Sequence, residues 1–294
     1  MLFNTRELTK KRWAEDQYWI IKSPDLIRCD TNSSVAELLA DSEIDQHVTA
    51  PDTYRLGVYF EHLWQAIIAT NADIEVIEHN AQVIIDKQTY GEFDSLLFNK
   101  SHSEILHCEL AVKFYLQIGH GKQLSDWVGP NVKDRFDSKY LRLFEHQLAL
   151  GNHHHVKKWL EDKKLSIDRV KLLTRGRLFY SWENVIQQKF DFPPQVSTHH
   201  EKGFWITYEQ FLTPEVYSAY DWYLLPKSWW LAKVSVEDAQ LLVPIHQLKK
   251  MDRVQQVVAF TQEPCGKSMS TKEVMRGFIV TNEWLEKATL RIGQ

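Results

Sequence analysis

The residues of this chain best suited to chemistry are Asp94, Glu109 and Lys113, two carboxylates and an ammonium carried on two neighbouring strand-like segments. Asp94 lies in Tyr90-Gly91-Glu92-Phe93-Asp94-Ser95-Leu96-Leu97-Phe98. Glu109 and Lys113 lie in Ile105-Leu106-His107-Cys108-Glu109-Leu110-Ala111-Val112-Lys113-Phe114-Tyr115-Leu116. Both segments read as arms of a hairpin that turns at Ser101 and His102. Period-two alternation predicts Glu92, Asp94, Leu96 and Phe98 on one face, with Ile105, His107, Glu109, Ala111 and Lys113 on the same face of the second arm. Phe93, Ser95 and Leu97 then share the reverse, apolar face with Leu106, Cys108, Leu110, Val112 and Phe114. Counting outward from Phe98 opposite Ile105 sets Asp94 against Glu109 and Glu92 against Ala111, with directly opposed Cβ atoms about 5 Å apart.

Like charges facing each other across a strand pair are destabilising, and a divalent cation is the simplest relief. Carboxylate oxygens are the ligands Mg²⁺ prefers, and Lys113 would place a fixed ammonium beside a bound ion and its water. A solvated carboxylate cluster on a half-exposed sheet accounts for the same residues. A slip of one residue would exchange the faces.

Composition frames this site. With 294 residues, 44% of them hydrophobic and 25% charged, the chain is an ordinary globular protein with room for one large domain or two modest ones. No stretch approaches the ~20 consecutive apolar residues of a membrane helix, and Met1-Leu2-Phe3-Asn4-Thr5-Arg6-Glu7 lacks a signal-peptide core, so a cytoplasmic location is expected. Cys29, Cys108 and Cys265 are too few and too scattered for a disulfide framework or a zinc knuckle; Cys108 reads as a core thiol. The net charge of −4 does not mark a nucleic-acid binder, although it leaves room for a local basic patch.

The flanking elements follow from periodicity. Helices are expected from Thr5 to Ile21, around Val35 to Leu39, and from Tyr54 to Ala69, where Leu56, Phe60, Leu63 and Ile67 form one apolar face. Glu61 stands at the edge of that face, one turn after Gly57, from where a carboxylate could reach a neighbouring sheet. Ile74 to Ile77 and Ala81 to Ile85 read as strands leading into the hairpin. After a turn at Trp127-Val128-Gly129-Pro130, a helix begins at Asn131 or Asp134 and carries Phe136, Tyr140, Leu143, Phe144, Gln147 and Leu148. The most basic stretch follows, with Lys157, Lys158, Lys163, Lys164, Arg175 and Arg177 as candidate phosphate contacts, and Leu172 to Tyr180 returns as a strand. In the last third, Lys202 to Tyr208, Trp222 to Leu225, Val257 to Phe260 and Arg276 to Val280 read as strands, and Ser235 as a helix N-cap. Trp229 and Trp230 are base-stacking candidates and equally core residues. The run His153-His154-His155 lacks acidic or cysteine partners at ligand spacing and fits a surface loop.

Several of these motifs together resemble the bacterial domain-of-unknown-function family 1853. They are Gly57-x-x-Phe60-Glu61-x-x-Trp64, Gly91-Glu92-Phe93-Asp94, Glu109-Leu110-Ala111-Val112-Lys113-Phe114-Tyr115, Gly129-Pro130-Asn131 and Asp134-Arg135. That family is grouped with the PD-(D/E)XK nuclease-like superfamily. The resemblance implies an α/β protein: an αβββαβ restriction-endonuclease-like core with a mixed sheet over residues 51–182, a helical N-terminal extension over 1–50, and an α+β C-terminal region over 183–294. It further implies Mg²⁺ or Mn²⁺ held by Asp94 and Glu109, with Glu61 as the helical glutamate and Lys113 assisting hydrolysis of DNA or RNA; Glu92, opposite Ala111 and diagonal to Lys113, is a further candidate metal carboxylate from its place in the hairpin. The chain departs from the superfamily pattern at Ala111, where an acid two positions before the lysine is usual. Glu109 stands four before it, about 13 Å away along an extended strand. Three functions fit these residues: a Mg²⁺-dependent nuclease, a catalytically inactive nuclease-fold module that binds nucleic acid or protein, and a metal-independent scaffold.

Overall fold

The computed structural model describes residues 5–45, 51, 53, 55–247, 251–265 and 268–293. The protein is α/β, and the described residues hold ten α-helices and ten strands in mixed parallel and antiparallel pairing. The start of the expected third helix at Tyr54 lies outside the described residues, as does the side chain of Cys265. The chain forms two compact units, each discontinuous in sequence.

The first unit comprises residues 1–112, 138–175 and 197–199. It holds α1 (Thr5–Lys22), α2 (Ala36–Ala40), α3 (Leu56–Ile68), β1 (Ile74–Ile85), β2 (Gln88–Asn99) and the first part of β3 (Glu104–Gln117). Most of α4 (Phe136–Arg142), all of α5 (His154–Asp162) and the first part of β5 (Arg169–Ser181) complete it; β4 belongs to the second unit. Phe60, Leu63, Trp64 and Ile67 recur at helical spacing and are buried, which is why α3 lies with one face against the core. Gly57 faces open space, so no close neighbour requires a glycine there. β1 and β2 pair antiparallel, and β2 and β3 pair in the register expected from the hairpin, with Phe98 opposite Ile105. The two stretches expected as separate strands, 74–77 and 81–85, are one strand carrying irregularities, one at Asn80, whose φ is 52°.

These irregularities overturn the strict alternation expected of β2. Phe93 and Leu96 pack in one apolar cluster with Ala81, Val83, Leu150, Val156 and Leu160 under α5. Ser95 faces the other way, accepting from Trp64 Nε1 of α3 at 3.0 Å. Phe93 and Ser95 therefore do not share a face, and Leu96 does not side with Glu92. A positive φ at Asn80 breaks the pleat opposite Asp94, between the pairs His79↔Ser95 and Ala81↔Phe93, and the side chains change sides there.

The second unit comprises residues 113–137, 176–196 and 200–294. Here β4 (Trp127–Val128) pairs antiparallel with the end of β3, and β6 (Glu201–Thr207) runs parallel to both β5 and β10 (Ser268–Val280). The sheet continues antiparallel through β9 (Gln255–Cys265), β7 (Asp221–Leu224) and β8 (Val243–Pro244). α6 (Trp182–Ile186), α7 (Tyr208–Phe211), α8 (Pro214–Tyr217), α9 (Val236–Ala239) and α10 (Asn282–Ile292) connect or flank these strands. Ser235 caps α9 as expected, its hydroxyl accepting from Asp238 N. The core gathers Phe204, Ile206, Phe211, Trp222, Val257 and Ile279. At Gly176, φ is +147° and a Cβ would lie 1.8 Å from the Lys113 carbonyl oxygen, so only glycine allows β5 this approach to β3.

Candidate active site

The β2–β3 ladder ends at Ser95↔Cys108, one residue short of Asp94 and Glu109. Beyond it Leu110 N donates to Asp94 Oδ2 at 2.8 Å, so a side-chain carboxylate takes over a backbone acceptor's role. Glu92 pairs with Gln82 of β1, and the described pairing does not set it against Ala111 as the hairpin count predicted.

Glu109 is fully buried. His107, two residues earlier and on the same face as expected, places Nε2 2.8 Å from Glu109 Oε1, and Gln147 donates from Nε2 to Oε2 at 2.9 Å. His107 is itself fully buried, with the Phe93 ring edge-on at 4.6 Å and, among the described residues, no partner for Nδ1. Burial holds its pKa down to about 4, so the neutral ring keeps its proton on Nε2 and donates to Glu109.

Burial pushes the Asp94 carboxyl up to about 8, with the neighbouring Glu109 charge adding to the rise and the Leu110 N–H opposing it. Glu109 is pushed up to about 7, again chiefly by burial; hydrogen bonds from Asp94 and Gln147 restrain the rise. The physical content is a carboxyl pair, Glu109 buried and Asp94 half-buried, in which Asp94 holds the proton and Glu109 accepts donors from three sides. Glu61 and Glu92 form a second pair. Asn80 Nδ2 lies 3.1 Å from Glu61 Oε2 and 3.4 Å from Glu92 Oε1, while its Oδ1 accepts from Gln65. Burial raises the Glu61 pKa, and Asn80 counters it. Among the described residues, no group of three or more His, Cys, Asp and Glu is arranged to hold a metal ion. Lys113, half-buried, opens the second unit.

Of the candidate phosphate contacts, Lys157, Lys158, Lys163 and Lys164 are exposed on α5 and the turn after it. Lys163 is 3.3 Å from Glu78 and lies over the Trp159 ring. Arg175 and Arg177 are not part of this surface. Both are buried, Arg175 paired with Asp25 at 2.6 Å and Arg177 with Glu201 at 2.5 Å, because inward-facing positions of a buried strand accept a guanidinium only with a carboxylate partner. Trp229 and Trp230 are core material: Trp229 is buried, and the Trp230 ring meets Phe114 and Phe278 edge-on. His153 and His155 are exposed and lie beside Tyr90 at ring distances of 5.0 and 5.5 Å. Cys108 is a buried thiol, as expected, and among the described residues Cys29 is likewise free.

The sequence reading missed His107 and Gln147 as partners of Glu109. The i, i+2 spacing of His107 and Glu109 carried a signal. Gln147 carried none, because a π-helical turn at Leu143–Gln147 extends α4 and aims it inward. No helix among the described residues is long and apolar enough to cross a membrane.

No curated protein and no solved structure matches this chain. A family model does, described as Domain of unknown function (DUF1853), over residues 15–280, and the chain belongs to that family.

Proposed function

We propose that the chain is a Mg²⁺-dependent nuclease hydrolysing phosphodiester bonds in DNA or RNA, with Asp94 and Glu109 as its cation-binding pair on a restriction-endonuclease-like core. The observation that carries this reading is the approach of two carboxylates from adjacent strands, Glu109 buried and Asp94 half-buried, close enough that the Glu109 charge adds to the rise of the Asp94 pKa. The order α3, β1, β2, β3, α4, β5 supports the αβββαβ core once the two-residue β4 before α4 and the added helix α5 after it are set aside. The donor set fits the ion at its minimum, since Mg²⁺ is held by one or two carboxylates with waters completing its octahedron. Glu61 and Glu92 are further oxygen donors in the same unit. When bound, the cation polarises a phosphate oxygen and acidifies a water. His107 and Gln147 hold Glu109 in one orientation, and Asp94, once deprotonated, would be the second carboxylate to hold the ion. Lys113 carries the role the resemblance assigns it, steadying the reacting water or the phosphoryl charge. The exposed lysines of α5 and its following turn attract the polyanion.

A catalytically inactive module that binds nucleic acid or a protein is the second reading. It is favoured by Ala111 in the usual acidic position and by the hydrogen bonds that already engage both oxygens of Glu109. Cleavage of single- and double-stranded DNA and RNA with Mg²⁺ and Mn²⁺ separates the two. The nuclease reading expects wild-type cleavage that is lost in Asp94→Ala together with metal binding, and lost in Lys113→Ala with metal binding kept. No cleavage of any of these substrates, by wild type or by Ala111→Glu, selects the binding module.

A further inference from the structure

A polar cavity of about 610 Å³ lies in the second unit, lined by Gln117, His120, Lys122, Asn184, Lys189 and Asp191 among others. That volume suits a small metabolite. Two fixed loops build its walls. Trp127 Nε1 donates to the Gly121 carbonyl at 3.0 Å and pins the first loop. In the second, Gln188 adopts φ 53° while Lys189 N donates to the Asn184 carbonyl at 2.8 Å.

Gln117 is the unexplained group. It is 3% exposed, and Asn184 Nδ2 donates to its Oε1 at 3.0 Å. Its Nε2 has no hydrogen-bond partner among the described residues. Gly121 keeps the space beside that nitrogen open, since a Cβ there would stand 2.4 Å from it and 2.7 Å from the Asp191 carbonyl. That amide N–H opens onto the cavity, where it can donate to a ligand oxygen. Lys122 and Lys189 are exposed, and neither forms an ion pair among the described residues. Lysine without an arginine fork suits a phosphate as a point charge better than it suits a bidentate carboxylate.

Two carboxylates share the cavity, and they restrict the ligand. Asp126 Oδ2 already accepts from Gln123 N at 3.1 Å. Asp191 has no side-chain hydrogen bond among the described residues and offers only acceptors, which call for ligand hydroxyls. We infer that this cavity is a binding site for a small hydroxyl-bearing phosphate monoester. Lys122, Lys189 and the Gln117 amide receive the phosphate, and Asp191 receives a hydroxyl.

Isothermal titration of the full chain with ribose 5-phosphate, inorganic phosphate and ribose, in buffer with a chelator, tests this without involving Asp94 or Glu109. Ribose 5-phosphate should saturate the protein about tenfold more tightly than either fragment, and the double substitution Lys122→Ala and Lys189→Ala should weaken it by at least about tenfold. Asp191→Asn should narrow the gap between ribose 5-phosphate and phosphate. Gln117→Leu should weaken binding in a protein whose melting shows that it folds. No saturable binding, equal affinity for phosphate and ribose 5-phosphate, or an unchanged affinity in the double lysine variant would overturn the assignment.

Discussion

Gln147 donates from Nε2 to Glu109 Oε2 at 2.9 Å, completing the hydrogen bonding of a fully buried carboxylate whose other oxygen faces His107. The contact is made from the π-helical turn, whose i→i+5 hydrogen bonds widen the helix and change the direction of the side chains it carries. A regular α-helix would aim position 147 differently.

Gln147→Leu should therefore destabilise the chain by about 1–3 kcal/mol, the range for leaving a buried acceptor without its donor. Urea unfolding at neutral pH measures it. A loss within about 0.5 kcal/mol, the range of an ordinary surface change, would mean that Glu109 finds another donor or binds a proton at no cost.

Metal should act on the acid pair. Mg²⁺ or Mn²⁺ at a hundredfold excess over its dissociation constant should stabilise the wild-type chain by about 2.7 kcal/mol and leave Asp94→Ala unaffected. Thermal melting with and without metal decides, and equal shifts in both proteins would place the ion elsewhere.

The same pair sets a pH dependence in the metal-free chain. Burial raises Asp94 to about 8 and Glu109 to about 7, above their unfolded values, so the folded state binds more protons than the unfolded one between the ordinary carboxylate range and about pH 8. The contribution is fully present below the unfolded pKa values and is lost as pH rises through the folded ones. Asp94→Asn should gain stability relative to wild type between about pH 5 and about pH 9, with a slope up to about 1.4 kcal/mol per pH unit. Denaturation curves across that range should diverge, and parallel curves would show that folding does not raise the Asp94 pKa.

Replacing Lys157, Lys158, Lys163 and Lys164 with Ala should weaken nucleic-acid binding and flatten its salt dependence by roughly 0.9 log units per lost phosphate contact on duplex DNA. Fluorescence anisotropy at several salt concentrations reads the slope, and an unchanged slope assigns these lysines to a solvated surface.

Arg175→Ala should behave differently, as a folding defect. It strips Asp25 of a partner and removes a donor from the Ile20 carbonyl, and breaking such a buried pair costs about 3–5 kcal/mol. Chemical denaturation tests this, and wild-type stability with weakened nucleic-acid binding would return Arg175 to the surface role.

The hairpin was legible in the chain itself. Alternating apolar residues with a polar turn between them fix which residues can pair, and Phe98 does stand opposite Ile105. The apolar spacing of α3, the cap of α9 and the shared face of His107 and Glu109 were equally local, because each depends on the residues of one element, although the hydrogen bond between those two was not read from it. What the tertiary structure alone decided came from contacts distant in sequence. The alternation of β2 breaks opposite Asn80, whose φ is 52° and whose side chain bridges Glu61 and Glu92, and nothing near Asp94 announces that. Arg175 and Arg177 looked like lysine's neighbours on a basic stretch. They are instead buried with Asp25 and Glu201, which lie 150 and 24 residues away along the chain. Gln147 joins Glu109 across 38 residues. Periodicity orders the side chains along one strand or helix, but the partner that satisfies a buried charge is chosen by packing, and packing brings together residues that no local pattern connects.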